Sequence, residues 1–141
     1  MTRFTRQAVL TLALLLVATA AQAQRVAAPA RGNPAADPSL AKHYLLTEQV
    51  GKWRHTSPAM GVLNITLNPN GTYTFSQVKD GKTKNLSGEY AFIDGNAGRS
   101  DLLLFSGPRA AKKAPAVRWS FTKGTTRAIM TLRSRIFQRV G

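Results

Sequence analysis

Alternating apolar and polar residues predict β-strands over most of the chain after Val50. Residues 63–67 (Leu-Asn-Ile-Thr-Leu) alternate, the Asn-Pro-Asn-Gly sequence at 68–71 predicts a turn, and the alternation then resumes. Asp80-Gly81 predicts a second hairpin in the same way. These signals place eight short strands, one near Trp53 and the others at residues 63–67, 72–79, 82–93, 101–105, 117–122, 128–132 and 136–140. No helical pattern separates them, so the predicted fold class is all-β.

Short turns between successive strands predict an up-and-down antiparallel sheet. Closing eight such strands into a barrel leaves no unpaired edge, and side chains can fill a barrel of that size. The predicted inward residues are Trp53, Leu63, Ile65, Leu67, Tyr73, Phe75, Leu86, Tyr90, Phe92, Leu103, Phe105, Val117, Trp119, Phe121, Met130 and Leu132. Their bulk favours a filled interior. The alternative is a cavity lined by Tyr73, Phe75, Tyr90, Phe92, Trp119 and Phe121.

The chain before these strands divides into three parts. Residues 1–23 have a basic start, an apolar run too short for a bilayer-spanning helix of roughly 20 residues, and an Ala-Gln-Ala ending. That pattern predicts a cleaved signal peptide and a periplasmic or extracellular location. Residues 24–39 are rich in Ala and Pro and predict a disordered tail. Residues 40–50 predict a short helical turn, and the barrel domain is expected over residues 40–141.

The composition of the chain limits the kinds of functional site that it can form. The chain has 20 basic and six acidic residues and a net charge of +14, and removing the signal peptide with its two arginines leaves +12. There is no cysteine, so no disulfide supports the fold. His43 and His55, the only histidines, lack the spacing of a metal site. Glu89, the only carboxylate in the interior of a predicted strand, alternates with Tyr90 and is expected to face outward. We therefore predict a protein that is not an enzyme and has no cofactor.

Basic residues accumulate after residue 108 without any acidic one. Nine lie between Arg109 and Arg139, and alternation with Val117 and Trp119 turns Arg118 outward. The predicted anion-binding residues are Lys112, Lys113, Arg118, Arg127, Arg133 and Arg135. Such a surface attracts lipopolysaccharide, acidic polysaccharide or anionic lipid, although it could equally serve solubility. Sequence-specific nucleic-acid binding is disfavoured because the aromatic residues that would stack on bases alternate inward.

Gly51-Lys52-Trp53, after the predicted helical turn, resembles the G-x-W signature of the lipocalins, a family of eight-stranded barrels. The resemblance implies that Trp53 closes one end of the barrel and that an arginine near the last strand, Arg133 or Arg139, packs on its ring. Residues 70–75, 87–90 and 103–108 also resemble a pattern of small secreted bacterial lipocalin-like proteins of unknown function. The resemblance covers residues 40–141.

The expected function is that of a non-enzymatic secreted or periplasmic binding domain that engages anionic envelope components through its basic face. The sequence leaves two alternatives open. One is a periplasmic protease inhibitor, or another protein-binding partner, that uses the tail at 24–39. The other is a carrier of a small apolar ligand, which requires an open barrel interior.

Overall fold

A computed structural model describes residues 25–28, 42–109 and 114–141. Two 3-10 turns lie in these ranges, at Thr47–Gln49 and Asn96–Gly98. No helix in the part described is long and apolar enough to cross a membrane. The described strands are β1 (Arg25–Ala27), β2 (Tyr44–Leu46), β3 (Gly51–Ser57), β4 (Gly61–Leu67), β5 (Thr72–Lys79), β6 (Lys82–Asp94), β7 (Ser100–Leu104), β8 (Val117–Lys123), β9 (Ile129–Leu132) and β10 (Arg135–Arg139).

Strands β3 to β10 form a closed antiparallel barrel. Each strand pairs with the next along the chain, and β10 pairs back to β3 at Gln138↔Arg54 and Arg139↔Trp53. This confirms the predicted eight-stranded barrel. The long strand β6 has a different partner along each part of its length. It pairs with β5 along its first part and with β7 from Tyr90 to Asp94. Gly88, with φ of 154°, lies where the two pairings meet, and a side chain there would collide with the backbone that follows β7.

A two-stranded ribbon, β1 and β2, extends the sheet alongside the second half of β6. β2 pairs with β6 at Tyr44↔Phe92, and β1 pairs with β2. The helical turn predicted for 40–50 is therefore wrong at Tyr44–Leu46, which is a strand, and only Thr47–Gln49 forms a helical turn. The reason is that β6 extends beyond the end of β5, so the backbone groups of its second half need another partner.

The disordered tail predicted for 24–39 is wrong at Arg25–Ala27, because β2 offers that segment an edge to pair with. The rest of that tail, apart from Ala28, and the predicted signal peptide at 1–23 lie outside the described residues.

The core of the barrel is built around Phe92, which has no exposed surface. Its ring centroid lies 4.9 Å from that of Phe121 and 6.1 Å from that of Tyr90, both edge to face. Tyr44 of the ribbon stacks on it at 6.2 Å. Aromatic pairs in this geometry are favourable beyond the area they bury. The interior around Phe92 is therefore filled by side chains.

Strand β7 has the opposite phase to the one predicted. Leu102 and Leu104 belong to the core cluster, whereas the expected Leu103 lies on the other face, level with Arg118 of β8. Phe105 has the same phase as Leu103. Its ring contacts the ring of His43 and is not part of the core cluster. The physical reason is the register with β6 and β8, which pairs Leu102 with both Phe92 and Trp119.

Candidate functional site

Trp53 closes one end of the barrel and is held there from two sides. Its side chain is only 1% exposed, and its indole N–H donates to the carbonyl of Gln49 at 2.9 Å. The guanidinium carbon of Arg139 lies 4.3 Å from the centroid of the indole ring, a cation–π contact. Gly51, with φ of 142°, leaves the space that the Arg139 head occupies. Gly51, Trp53 and Arg139 thus form one packed unit.

Arg139 also caps backbone carbonyls around this end. Its Nη1 and Nη2 donate to the carbonyls of Val50 at 2.8 Å and Glu48 at 2.6 Å, and its Nε donates to that of Arg127 at 2.9 Å. Arg133 is elsewhere, exposed in the turn between β9 and β10 with φ of 49°. Of the two arginines that the resemblance left open, the structure therefore places Arg139 on Trp53. Its guanidinium is occupied and is not available to a ligand.

The predicted anion-binding face carries carboxylates that the local sequence does not reveal. Asp101 pairs with Arg118 at 2.8 Å, and Glu48 lies 2.6 Å from Lys123 and 3.6 Å from Arg127. A hydrogen bond from Lys123 holds the pKa of Glu48 below its ordinary value, so this carboxylate stays charged at neutral pH. The positive charge of this face is therefore partly neutralised. Arg133 and Arg135 remain without a carboxylate partner in the described residues, and Lys112 and Lys113 lie outside them.

Arg109 is a structural residue, although the sequence assigned it to the basic stretch. It is 1% exposed and lies beside the carboxylate of Glu89, with Nε 3.5 Å from Oε2. It also donates to Nδ1 of His43 at 2.6 Å and to the carbonyl of Ala28 at 3.2 Å. Burial lowers the pKa of Arg109, and the Glu89 carboxylate opposes that shift. Glu89 has the outward phase that was expected, the same as Asn85 and Ser87, but it is buried because Arg109 covers it.

The residues proposed to line a cavity fall into two groups. Tyr73, Tyr90, Phe92 and Phe121 are all buried. The hydroxyls of Tyr73 and Tyr90 donate to the carbonyls of Phe105 and Asn68, each at 2.9 Å. Phe75 and Trp119 are half-buried and meet edge to face at 5.8 Å, towards the other end of the barrel. The first group belongs to the packed core, so only the second borders solvent.

The outer face of β3 to β6 carries a polar surface that is not among the predicted sites. Strand register places side chains in two straight ranks across the four strands. One rank is Lys52, Thr66, Thr74 and Ser87; the other is Arg54, Asn64, Ser76 and Asn85. A groove of about 420 Å³ lies over this face, lined by Asn64, Thr66, Thr74, Phe75, Ser76, Asn85, Leu86 and Ser87. We call it the polar groove.

The polar groove has cations at one border and no carboxylate in its lining. Lys52 and Arg54, on β3, continue its two ranks and are exposed. Nε of Arg54 donates to Oδ1 of Asn64 at 2.9 Å, which orients the guanidinium towards the groove. The ranks could have been found in the sequence by aligning the outward positions of successive hairpins, because that alternation fixes which residues are neighbours.

A second set of exposed cations lies on the β5–β6 hairpin. Lys79, Lys82 and Lys84 surround a shallow pocket of about 220 Å³ together with Gln77 and Asp80. By register these lysines continue the inner face of the barrel beyond its end, because Lys84 pairs with Gln77 and Lys82 with Lys79. We call this the hairpin end, in contrast to the Trp53 end.

Comparisons with protein-family models, with curated proteins and with solved structures find no match for this chain. Within the described ranges, no group of three or more His, Asp or Glu side chains is placed to hold a metal ion. The site must therefore be judged on its own geometry.

Proposed function

We propose that the chain is an exported, non-enzymatic, lipocalin-like binding domain whose ligand is an acidic polysaccharide, bound in the polar groove. The observation that carries this proposal is the pair of aligned ranks in which hydroxyl and amide side chains end on Lys52 and Arg54. The basic start, apolar run and Ala-Gln-Ala ending of residues 1–23 support export.

The groove chemistry suits such a ligand. Hydroxyl and amide side chains both donate and accept hydrogen bonds, as sugar hydroxyls do. A uronate or sulfate group needs a cation, and an arginine can bind it through two parallel hydrogen bonds. Arg54 uses Nε for Asn64 and has no Nη contact with the other described residues, so that side of its guanidinium is available. The net charge of the chain increases the rate at which polyanions arrive.

The face predicted from the sequence is the weaker site. Two of its exposed arginines, Arg118 and Arg127, already have the carboxylates of Asp101 and Glu48 as partners. A ligand would have to displace these carboxylates, and pairing with a second anion would then gain little. Lys52 and Arg54 have no such competitor in the described residues.

The two other functions that the sequence left open have less support. A carrier of an apolar ligand needs interior space, whereas aromatic rings pack around Phe92. An inhibitor that uses a free tail at 24–39 would have to release Arg25–Ala27 from β2.

The test compares two double charge reversals, one at the border of the polar groove and one on the predicted anion-binding face. Lys52→Glu/Arg54→Glu and Arg118→Glu/Arg127→Glu change the net charge equally. Nonspecific electrostatic attraction alone would therefore weaken polyanion binding by the same factor in both. Binding of polygalacturonate, measured by calorimetry at several salt concentrations, is expected to weaken about tenfold or more in the first variant. Arg118→Glu/Arg127→Glu should retain most of the affinity. An equal loss in both variants, or a larger loss in the second, would reject the polar groove as the site.

A further inference from the structure

The first half of β6 has an unpaired edge. β7 pairs with β6 only from Tyr90 to Asp94, and the chain after it bonds only to Glu89, through the carbonyl of Gly107 and the N–H of Phe105. On the side away from β5, no other backbone group in the described residues pairs with residues 82–87. A strand of six residues is roughly 20 Å long. The barrel is thus closed as a ring, yet within the described residues this stretch of β6 has a free edge, which we call the β6 edge.

The alternation of antiparallel hydrogen bonds identifies the groups on this edge. A two-residue turn, Asp80-Gly81, makes Lys79↔Lys82 a hydrogen-bonded pair, so the N–H and C=O of every second residue from Thr83 onward point away from β5. Glu89 follows this rule, since both its backbone groups bond to the chain after β7. The same rule gives the β6 edge three free donors and three free acceptors, on Thr83, Asn85 and Ser87, all of which are exposed.

The side chains beside the edge change from apolar to cationic along β6. On the inner face, Leu86 packs partly against the core next to the half-buried pair Phe75 and Trp119. Lys84 and Lys82 follow on the same face, towards the turn. An added strand would place alternate side chains on this face, opposite an apolar residue first and two cations next.

We propose that the β6 edge binds an extended segment of a partner protein as an additional strand, with an apolar side chain opposite Leu86 and acidic side chains opposite Lys84 and Lys82. Lysines on an edge oppose pairing with neutral or basic strands, and the same charges favour an acidic one. A second copy of this chain is disfavoured as the occupant, because pairing edge to edge brings two sets of lysines together. The proposal does not depend on the polysaccharide site.

The first test uses synthetic eight-residue peptides with one leucine and two glutamates at alternate positions, made in both sequence directions. Fluorescence anisotropy is expected to show binding of one acidic peptide and none of the matched peptides with lysine for glutamate. N-methylation of the amides on the pairing side should abolish binding, because it removes the donors, whereas N-methylation on the opposite side should not. Binding by neither direction, or indifference to the methylated side, would overturn the proposal.

The second test uses the edge itself. The N–H of Asn85 does not bond to β5, so Asn85→Pro removes a donor of the β6 edge while leaving the β5–β6 ladder intact. Asn85→Ala removes the same side chain and keeps the donor. Peptide affinity is expected to fall about tenfold or more in Asn85→Pro and to stay within about twofold in Asn85→Ala. Equal affinities in the two variants would contradict strand addition, and circular dichroism of both verifies the fold.

Charge specificity has a matched control at the other end of the barrel. Lys84→Glu and Arg99→Glu change the net charge equally, and Arg99 lies beyond the far end of β6. Only Lys84→Glu should lose the acidic peptide. The Lys52→Glu/Arg54→Glu variant should retain peptide binding, and polysaccharide binding should be the same in Lys84→Glu and Arg99→Glu, because neither residue lines the polar groove. Failure of this inference and failure of the proposed function are therefore distinguishable.

Discussion

The two ends of the barrel use the same kind of residue in opposite ways. At the Trp53 end three cations have partners: Arg139 has an aromatic ring and three carbonyls, and Lys123 and Arg127 share Glu48. At the hairpin end, Lys79, Lys82 and Lys84 form no ion pair with a carboxylate in the described part of the chain. The position of the few acidic residues, more than the number of basic ones, therefore decides which cations a ligand can use.

The largest expected effect tests the packing at the two ends. Trp53→Ala should lower the free energy of unfolding by about 3 to 5 kcal/mol, because it empties a fully buried site and leaves Arg139 without its ring. Trp119→Ala, at a half-buried position towards the hairpin end, should cost about 1 to 2 kcal/mol. Urea unfolding followed by circular dichroism measures both. Equal losses would mean that the ends are equally packed.

The next effect tests whether the arginines differ as the structure indicates. Arg139→Gln should cost about 2 to 4 kcal/mol, since it loses the cation–π contact and hydrogen bonds to three carbonyls. Arg133→Gln, in an exposed turn, should change stability by less than about 0.5 kcal/mol. Thermal unfolding of the two variants at low and high salt is the measurement. A cost for Arg133→Gln near that for Arg139→Gln would contradict the assignment.

The smallest effect appears only in alkali. All three tyrosines, Tyr44, Tyr73 and Tyr90, have a pKa raised by burial, that of Tyr73 to about 12. Unfolded tyrosines titrate near 10, so the folded state binds protons more tightly. The resulting stability is present below pH 10 and is lost as the pH rises towards the folded values.

Absorbance at 295 nm should therefore show little phenolate in the folded protein at pH 10.5. Its appearance should coincide with loss of the near-ultraviolet dichroism signal. A midpoint near pH 10 with the folded signal intact would show that a tyrosine is exposed. In the Trp53→Ala variant the end of the barrel is opened, so the alkaline transition should occur at a lower pH.

Hairpins were predictable from the sequence because their information is local. The alternation at 63–67 and the turn at Asp80-Gly81 fix both pairing and facing, and the closed eight-stranded ring follows from their number. Strand β7 was the exception: Leu102, Leu103 and Leu104 are all apolar, so alternation cannot set the phase there. Its neighbours β6 and β8 set it instead.

What the sequence could not reveal depends on contacts between distant segments. The β1–β2 ribbon exists because β6 extends beyond the end of β5. The residues of Tyr44–Leu46 alone do not distinguish a strand from a helical turn. The carboxylates of Asp101 and Glu48 reach the basic face from other strands and turns. Glu89 and Arg109 meet only through the path of the chain after β7. The site was therefore less predictable than the fold.

The contact between Arg139 and Val50 joins residues 89 positions apart in the chain, near the two limits of the ring. Contacts of such separation carry a large loop-closure entropy and tend to form after the local hairpins. An interaction made late is mostly absent from the folding transition state, so its loss accelerates unfolding more than it slows folding. We therefore expect the contact between Arg139 and Trp53 to slow the unfolding of the closed barrel and to have little effect on its folding rate.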